Sequence, residues 1–174
     1  MAESDIQLLT RCADFALDHI HSVEGNISEA LQTSGATRYV MGLRLCRLHR
    51  AVVAAGVFSV FESLLQARMG WGDNAFSDLD NALRKHGEQQ LADRIASYRN
   101  AINALKHGTG KSHTQLLSHQ SLEFDVRAQG AFFSEGDVSE VDVLVDADDA
   151  FLHLGSELIS EVCAVFEAKE GVHL

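Results

Sequence analysis

Proline is absent from the 174 residues of this chain, although average usage predicts roughly eight or nine. Its absence argues against loop-rich folds, proline-rich linkers and cis-proline turns. Hydrophobic residues make up 46% of the chain and charged residues 22%, which is ordinary for a water-soluble domain. No linker, repeat or low-complexity segment interrupts the sequence, so it predicts a single domain over residues 1–174.

Cysteine is also scarce. Cys12, Cys46 and Cys163 are far apart and odd in number, which excludes a disulfide framework and a zinc knuckle. The first residues lack the basic and apolar regions of a secretory signal. The longest apolar run, 51–61, is about half the roughly 20 residues of a membrane span. The sequence therefore predicts a cytoplasmic protein with a buried core helix, no membrane partner, no cofactor and no metal.

Positive charge is in deficit overall but not everywhere. The net charge of −11 argues, as an average, against nucleic acid as a partner. Residues 38–111, however, hold 11 of the 14 basic residues and only 6 of the 25 acidic ones, which makes this segment +5 and the remainder −16. A local anion-binding surface is therefore compatible with the total. The structural alternative is that these arginines pair with acidic faces of neighbouring helices.

Apolar residues recur at helical spacing through most of the chain. They predict a first helix from a Ser4 cap to about Gly25, followed by a short amphipathic piece at 26–32. A long helix follows over 37–69, then helices over about 75–87 and 88–108, and a helical turn over 112–119. Glycine, serine, asparagine and aspartate supply every break.

The period then changes to two. Apolar residues alternate with charged ones over 122–127 and again over 140–146, which is typical of half-buried strands. A turn at 134–137 lies between them, and Asp148 or Asp149 caps a last helix. The fold prediction is an all-α helical bundle of about five main helices, with a small β-hairpin insertion at about 121–146.

The segment 98–112 has the most specific chemistry. On a helix, Arg99, Asn103 and His107 lie within roughly 80° of one another, beside the apolar stripe of Leu91, Ile95, Tyr98, Ile102 and Leu105. An imidazole moves protons near neutral pH, while a guanidinium and an amide bind a phosphate whose charge builds up in the transition state. The set is thus suited to phosphodiester chemistry.

Arg99-Asn100 and Lys106-His107-Gly108, preceded by the helix of 57–65 (Val-Phe-x-x-Phe-Glu-x-Leu-Leu), resemble the HEPN superfamily of helical domains. The resemblance covers roughly residues 38–169. It implies a homodimer with a composite cleft and a metal-independent endoribonuclease of the toxin–antitoxin or antiviral defence type. The partners it implies are RNA and an antitoxin or other protein. Family members place four to six residues between arginine and histidine, whereas seven separate Arg99 from His107.

The candidate catalytic residues are Arg99, Asn103 and His107: the resemblance implies the arginine and the histidine, and Asn103, four residues before His107 on the same helix face, stands in for part of the motif. Asn100, Lys106, Lys111 and Ser112 are the candidate phosphate-binding residues. Three alternatives stay open. The chain can be a non-catalytic dimeric interaction module, whose acidic C-terminal segment meets a basic partner. It can bind a nucleotide or phosphorylated ligand at residues 108–112, or Lys106 and His107 can simply be the cations favoured in the last turn of a helix.

Overall fold

The structure, a computed structural model, describes residues 5–172 and residue 174, and within them the chain forms six helices and no strand. The Ser4 cap predicted from the sequence lies outside the described residues. The all-α prediction is confirmed, with one short helix beyond the five main ones. The helices are α1 Asp5–Leu31, α2 Thr37–Met69, α3 Ala75–Lys85, α4 Gln89–His107, α5 Lys111–Leu117 and α6 Asp149–Glu170.

The bundle is built around α2, which contacts α1, α3, α4 and α6. The centre of the core is aromatic: the buried Tyr98 ring of α4 stacks on Phe151 at 4.5 Å and lies 5.1 Å from Phe58. Its hydroxyl donates a hydrogen bond to the Phe151 carbonyl at 3.2 Å, because a buried hydroxyl needs a partner. Gly155 of α6 gives this ring its space, since a Cβ there would lie 2.3 Å from the hydroxyl.

The first helix does not end near Gly25, as the sequence predicted, but continues to Leu31. Tertiary contacts explain the extension. Glu24 accepts two hydrogen bonds from Arg50 of α2, at 2.6 and 2.7 Å. Ile27 packs against Gly42, where a Cβ would meet its Cδ1 at 2.6 Å. An exposed helical glycine costs about 1 kcal/mol relative to alanine, which these contacts across the helix pair offset.

The predicted β-hairpin at 121–146 was wrong. Its two segments meet at a single antiparallel bridge between Val126 and Val145, and no strand forms among the described residues. The buried Arg127 guanidinium explains the difference, because it donates to the carbonyls of Ala131, Val141 and Val143 at 2.6 to 3.1 Å. The carbonyls of Ala131 and Val143 are thus satisfied by a side chain instead of a backbone ladder, and that of Val141 accepts from this side chain and from the Val143 N–H.

By length and composition α2 could cross a membrane, with 33% of its most apolar stretch buried in the bundle. Core helices of water-soluble proteins share this length and composition. The core face of α2 buries Arg50, which is bound to Glu24 and Asp149, and a buried arginine needs such partners. We therefore describe α2 as the central helix of the bundle, and the cytoplasmic location stays a prediction.

Candidate functional site

The residues singled out by the sequence lie on one face of α4. Its other face is buried, through Leu91, Ala92, Ile95, Tyr98, Ala101, Ile102 and Ala104. Arg99, Asn100 and Asn103 are partly buried, whereas Lys106 and His107 are exposed in the last turn. The face is continuous because positions three and four apart on a helix are neighbours. We call the set Arg99, Asn100, Asn103, Lys106 and His107 the α4 polar face.

Arg99 lines a groove of about 280 Å³ between α3 and α4. The carbon at the centre of its guanidinium lies 5.3 Å from the centroid of the Phe76 ring, a distance suited to a cation–π contact. Phe76 in turn stacks on Phe58 of α2 at 4.6 Å. The ring therefore holds the arginine in place while its N–H groups remain available. The other residues lining the groove are Ser77, Asp80, Ala92, Ile95, Ala96 and Asn100.

Most arginines elsewhere in the positive segment are neutralised by carboxylates, as the structural alternative expected. Arg47 binds Asp137 at 2.6 Å, and Arg50 binds Glu24 and Asp149. Arg84 binds two aspartates, and Arg94 binds Glu123 and Glu161. Arg99, Lys106 and Lys111, by contrast, have no ion pair with any residue that the structure describes. Arg38, Arg44 and Lys85 also have no ion pair with a described residue, so three of the six unpaired cations of segment 38–111 lie toward the C-terminal end of α4 and the start of α5.

The chain between α4 and α5 turns sharply. Gly108 has a φ of +73°, and its N–H donates to the Ala104 carbonyl at 2.9 Å, so only glycine adopts this position without strain. Gly110 is extended, and Lys111 and Ser112 begin the seven-residue α5. A helix precedes this turn where a phosphate-binding loop has a strand. The turn therefore places Lys111 at the start of α5, shortly after His107 at the end of α4, but it is not a phosphate-binding loop.

The three histidines of this region have different surroundings. His107 and His119 are exposed, whereas His113 is buried and its Nε2 donates to the Arg127 carbonyl at 2.8 Å. His113 thus connects α5 to the segment after it, which is a structural role. Among the residues that the structure describes, no group of three or more histidine, cysteine, aspartate or glutamate side chains could hold a metal ion.

A larger cavity, which sequence reasoning missed, has a volume of about 420 Å³ and lies near the start of α6. Six carboxylates and two arginines line it. Burial, followed by the nearby charge of Asp148, raises the pKa of the Asp146 carboxyl, which Arg47 partly opposes. The dense aspartates of 142–149 were the available signal. Its lining is Glu24, Arg47, Arg50, Asp125, Phe133, Ser134, Glu140, Val141, Val143, Asp146, Ala147, Asp148 and Asp149.

Four of the six carboxylates of this cavity already have structural partners: Glu24 binds Arg50 and Glu140 binds Arg127, and Asp148 and Asp149 are the other two. Asp148 caps α6 by accepting from the Phe151 N–H at 2.8 Å, as predicted. Although burial raises the pKa of the Asp149 carboxyl, hydrogen bonds from His21 and Arg50 outweigh it and hold the pKa below its ordinary value. The cavity is therefore larger than the α3–α4 groove, but several of its carboxylates bind groups of α1, α2 and α6 and hold these helices together.

Trp71 lies in the turn between α2 and α3. Its ring meets Phe166 of α6 edge-on at 5.9 Å. Its side chain is only partly exposed. The α4 polar face, by contrast, has unpaired basic groups beside a groove.

Comparison with protein-family models, with curated proteins and with solved structures finds no match for the chain. The likeness to HEPN domains accordingly depends on the residues of 57–65 and 99–108 alone, and it stays a prediction.

Proposed function

We propose that this chain is a HEPN-like, homodimeric RNA-binding protein that cleaves RNA at the α4 polar face without a metal ion. The observation that carries the proposal is the unpaired positive charge of Arg99, Lys106 and Lys111 in a chain whose other arginines are mostly neutralised. A polyanion such as RNA gains most from basic groups that no carboxylate occupies, because it displaces nothing but water and counterions.

The chemistry follows from the three catalytic candidates. The Arg99 guanidinium, supported by Phe76, holds phosphate oxygens, and the Asn103 amide adds a donor. The ribose 2′-oxygen attacks phosphorus and the bond to the 5′-oxygen breaks, giving a 2′,3′-cyclic phosphate and a free 5′-hydroxyl. His107 either removes the proton of the 2′-hydroxyl or gives one to the leaving 5′-oxygen. It is exposed at the helix end, where RNA can reach it.

The spacing of these residues explains why a second copy is part of the proposal. Arg99 and His107 are eight steps apart along the helix, which places their backbones about 12 Å apart along α4 at 1.5 Å per residue. Within one chain the two side chains therefore meet neighbouring phosphates more easily than one shared phosphate. A cleft made by two copies can bring a histidine of one chain to a phosphate held by the other.

The first test is cleavage of total RNA by the purified protein in the presence of a metal chelator. We expect His107→Ala to lower the cleavage rate by about 100-fold or more, the usual contribution of a general acid or base. Lys169→Ala, which removes an exposed lysine of α6, is the matched control and should cleave like the wild type. Equal absence of cleavage in the wild type and His107→Ala, with both folded and dimeric, contradicts the ribonuclease.

RNA binding is measured separately, so that binding and cleavage can fail independently. We expect Arg99→Ala to weaken binding of single-stranded RNA by about 10-fold at physiological salt, since it removes one charged phosphate contact. Phe76 remains to fill the α3–α4 groove, so the fold is preserved. If Arg99→Ala and Lys169→Ala bind RNA equally well, the α4 polar face does not contact RNA.

The acidic cavity favours a second function, a non-catalytic interaction module. Six carboxylates line it, and only two arginines lie among them. Asp142, beside it in sequence, is 98% exposed at its side chain, although one of its oxygens accepts from Arg127 at 3.1 Å. This surface suits a basic partner such as an antitoxin segment. Failure of both RNA assays, together with capture of a basic peptide that Asp142→Asn weakens, would support this second function.

A further inference from the structure

Helix α2 is apolar on two opposite faces, but the bundle covers only one of them. Its core face buries Cys46, Ala54, Phe58, Phe61 and Leu65. On the other face, Met41, Leu45, Leu48 and Val52 are 47%, 62%, 46% and 60% exposed. Their spacing of four, three and four residues gives one straight stripe. A helix that is apolar all round is normally buried, so we expect another surface to pack against this stripe.

The same stripe continues toward the C-terminus with small residues. Gly56, Ser59 and Ser63 follow Val52 at spacings of four, three and four residues, and nothing lies within 4 Å of a Cβ built on Gly56. Ser59 and Ser63 direct their hydroxyls to carbonyls of their own helix, at 2.8 and 3.2 Å. One half of the stripe therefore has large apolar side chains, and the other half offers shallow space.

Two charges flank the stripe on one side. Arg44 and Glu62 are 18 residues apart, which is about five helical turns, so they lie on the same flank. Neither has a hydrogen bond or ion pair with the residues that the structure describes. In an antiparallel pair of identical helices, a two-fold axis midway between these positions brings each arginine opposite the glutamate of the other copy.

We propose that a second copy of this chain covers the stripe, with the two α2 helices antiparallel about a two-fold axis close to Val52. The large half of each stripe, Met41 to Val52, then packs on the small half, Gly56 to Ser63, of the other. Arg44 of each copy pairs with Glu62 of the other. The antiparallel direction therefore matches both the sizes of the side chains and their charges. The inference goes beyond the proposed function: α4 packs on the core face of α2, so this contact is separate from the composite cleft between two α4 polar faces.

A bilayer suits this face less well. The large apolar residues extend from Met41 to Val52, 12 positions and about 17 Å of helix, and the stripe then becomes glycine and serine. A membrane-bound helix would present large apolar groups along its whole outward face. A second copy also accounts for the two unpaired charges, which a bilayer leaves unexplained.

The first experiment measures molecular mass by light scattering over a range of protein concentrations. We expect a dimer for the wild type and a dissociation constant raised at least 10-fold in Leu45→Glu, because a carboxylate would be buried in the contact. Phe132→Glu, which alters a residue 66% exposed outside the helices, is the control and should stay dimeric. A monomeric wild type, or a Leu45→Glu variant as dimeric as Phe132→Glu, overturns the proposal.

The second experiment tests direction. With the exposed Cys12 replaced by serine, Val52→Cys should form an intermolecular disulfide, because both copies of this position lie near the axis. Leu45→Cys should not, since its two copies would be about 20 Å apart along the helices. Cross-linking of both indicates a parallel pair and overturns the proposal. Co-flotation of the wild type, but not Leu45→Glu, with phosphatidylcholine vesicles also overturns it.

Charge reversal completes the test and does not involve RNA. Arg44→Glu and Glu62→Arg should each weaken the dimer several-fold, and the double variant should recover most of the loss, because the pair is restored in reversed order. A double variant weaker than either single one overturns the arrangement. Loss of RNA cleavage with an intact dimer would refute the proposed ribonuclease while leaving the α2 interface standing.

Discussion

Replacing Arg127 by methionine is expected to lower the free energy of unfolding by about 3–5 kcal/mol, the usual result of removing one partner of a buried ion pair. The Arg127 side chain is 7% exposed and that of its partner Glu140 is 9% exposed. Methionine would fill much of the volume but leave the Glu140 carboxylate buried and uncompensated. It would also leave the backbone carbonyls of Ala131 and Val143 without their donor, whereas the Val141 carbonyl still accepts from the Val143 N–H.

Urea unfolding followed by circular dichroism measures this loss. Arg94→Met is the matched control, since Arg94 also binds carboxylates, at 3.0 and 2.7 Å, but its side chain is 27% exposed. Because exposed ion pairs contribute little, we expect Arg94→Met to cost at most about 1 kcal/mol. Similar losses in the two variants would mean that Arg127 does not organise residues 121–147.

Gly155→Ala is expected to destabilise the protein by about 3 kcal/mol, although alanine is the better helix former. The added Cβ would lie 2.3 Å from the Tyr98 hydroxyl oxygen and 2.8 Å from the ring carbon that bears it. Tyr98 has little room to move, because it stacks on Phe151 and meets Phe58. Thermal unfolding should show a clear decrease in Tm.

Two further variants show whether the contact with Tyr98 is responsible. Gly25→Ala in the exposed part of α1, where nothing lies within 4 Å of a Cβ, should raise stability by up to about 1 kcal/mol. Adding Tyr98→Phe to Gly155→Ala removes the closest contact and should recover part of the loss. If Gly155→Ala and Gly25→Ala change the Tm alike, the packing against Tyr98 is looser than described.

The helices could be predicted because their signals are local. The apolar stripe of α4 and the left-handed or positive-φ glycines at 70, 108 and 171 mark periodicity and ends within a few residues. The hairpin could not be judged locally. The alternation near Val126 and Val145 is real, and the two residues do meet, but Arg127 takes the carbonyls that a ladder would need. That competition depends on contacts up to 16 residues away.

For the candidate site, the sequence predicted which residues share a helix face but not their ion-pair partners. Helical geometry alone places Arg99, Asn103 and His107 on one face, and the structure keeps them there with His107 exposed. The sequence does not show which basic residues stay unpaired, because this depends on tertiary contacts: Asp137, which binds Arg47, is 90 residues away along the chain. The acidic cavity and the uncovered face of α2 are tertiary as well. Sequence periodicity shows that a helix is apolar on both sides, not which side its own chain covers.

Trp71 is an intrinsic fluorescence probe of the contact between α6 and the turn that joins α2 to α3. It is the only tryptophan of the chain, and its ring touches Phe166 near the end of α6, where His86 also meets that ring at 6.1 Å. Its fluorescence therefore reports whether α6 is docked on the turn between α2 and α3. In Arg127→Met, residues 121–147 can unfold locally while the contact between Trp71 and Phe166 persists. Fluorescence and proteolysis would then give two separate transitions instead of one.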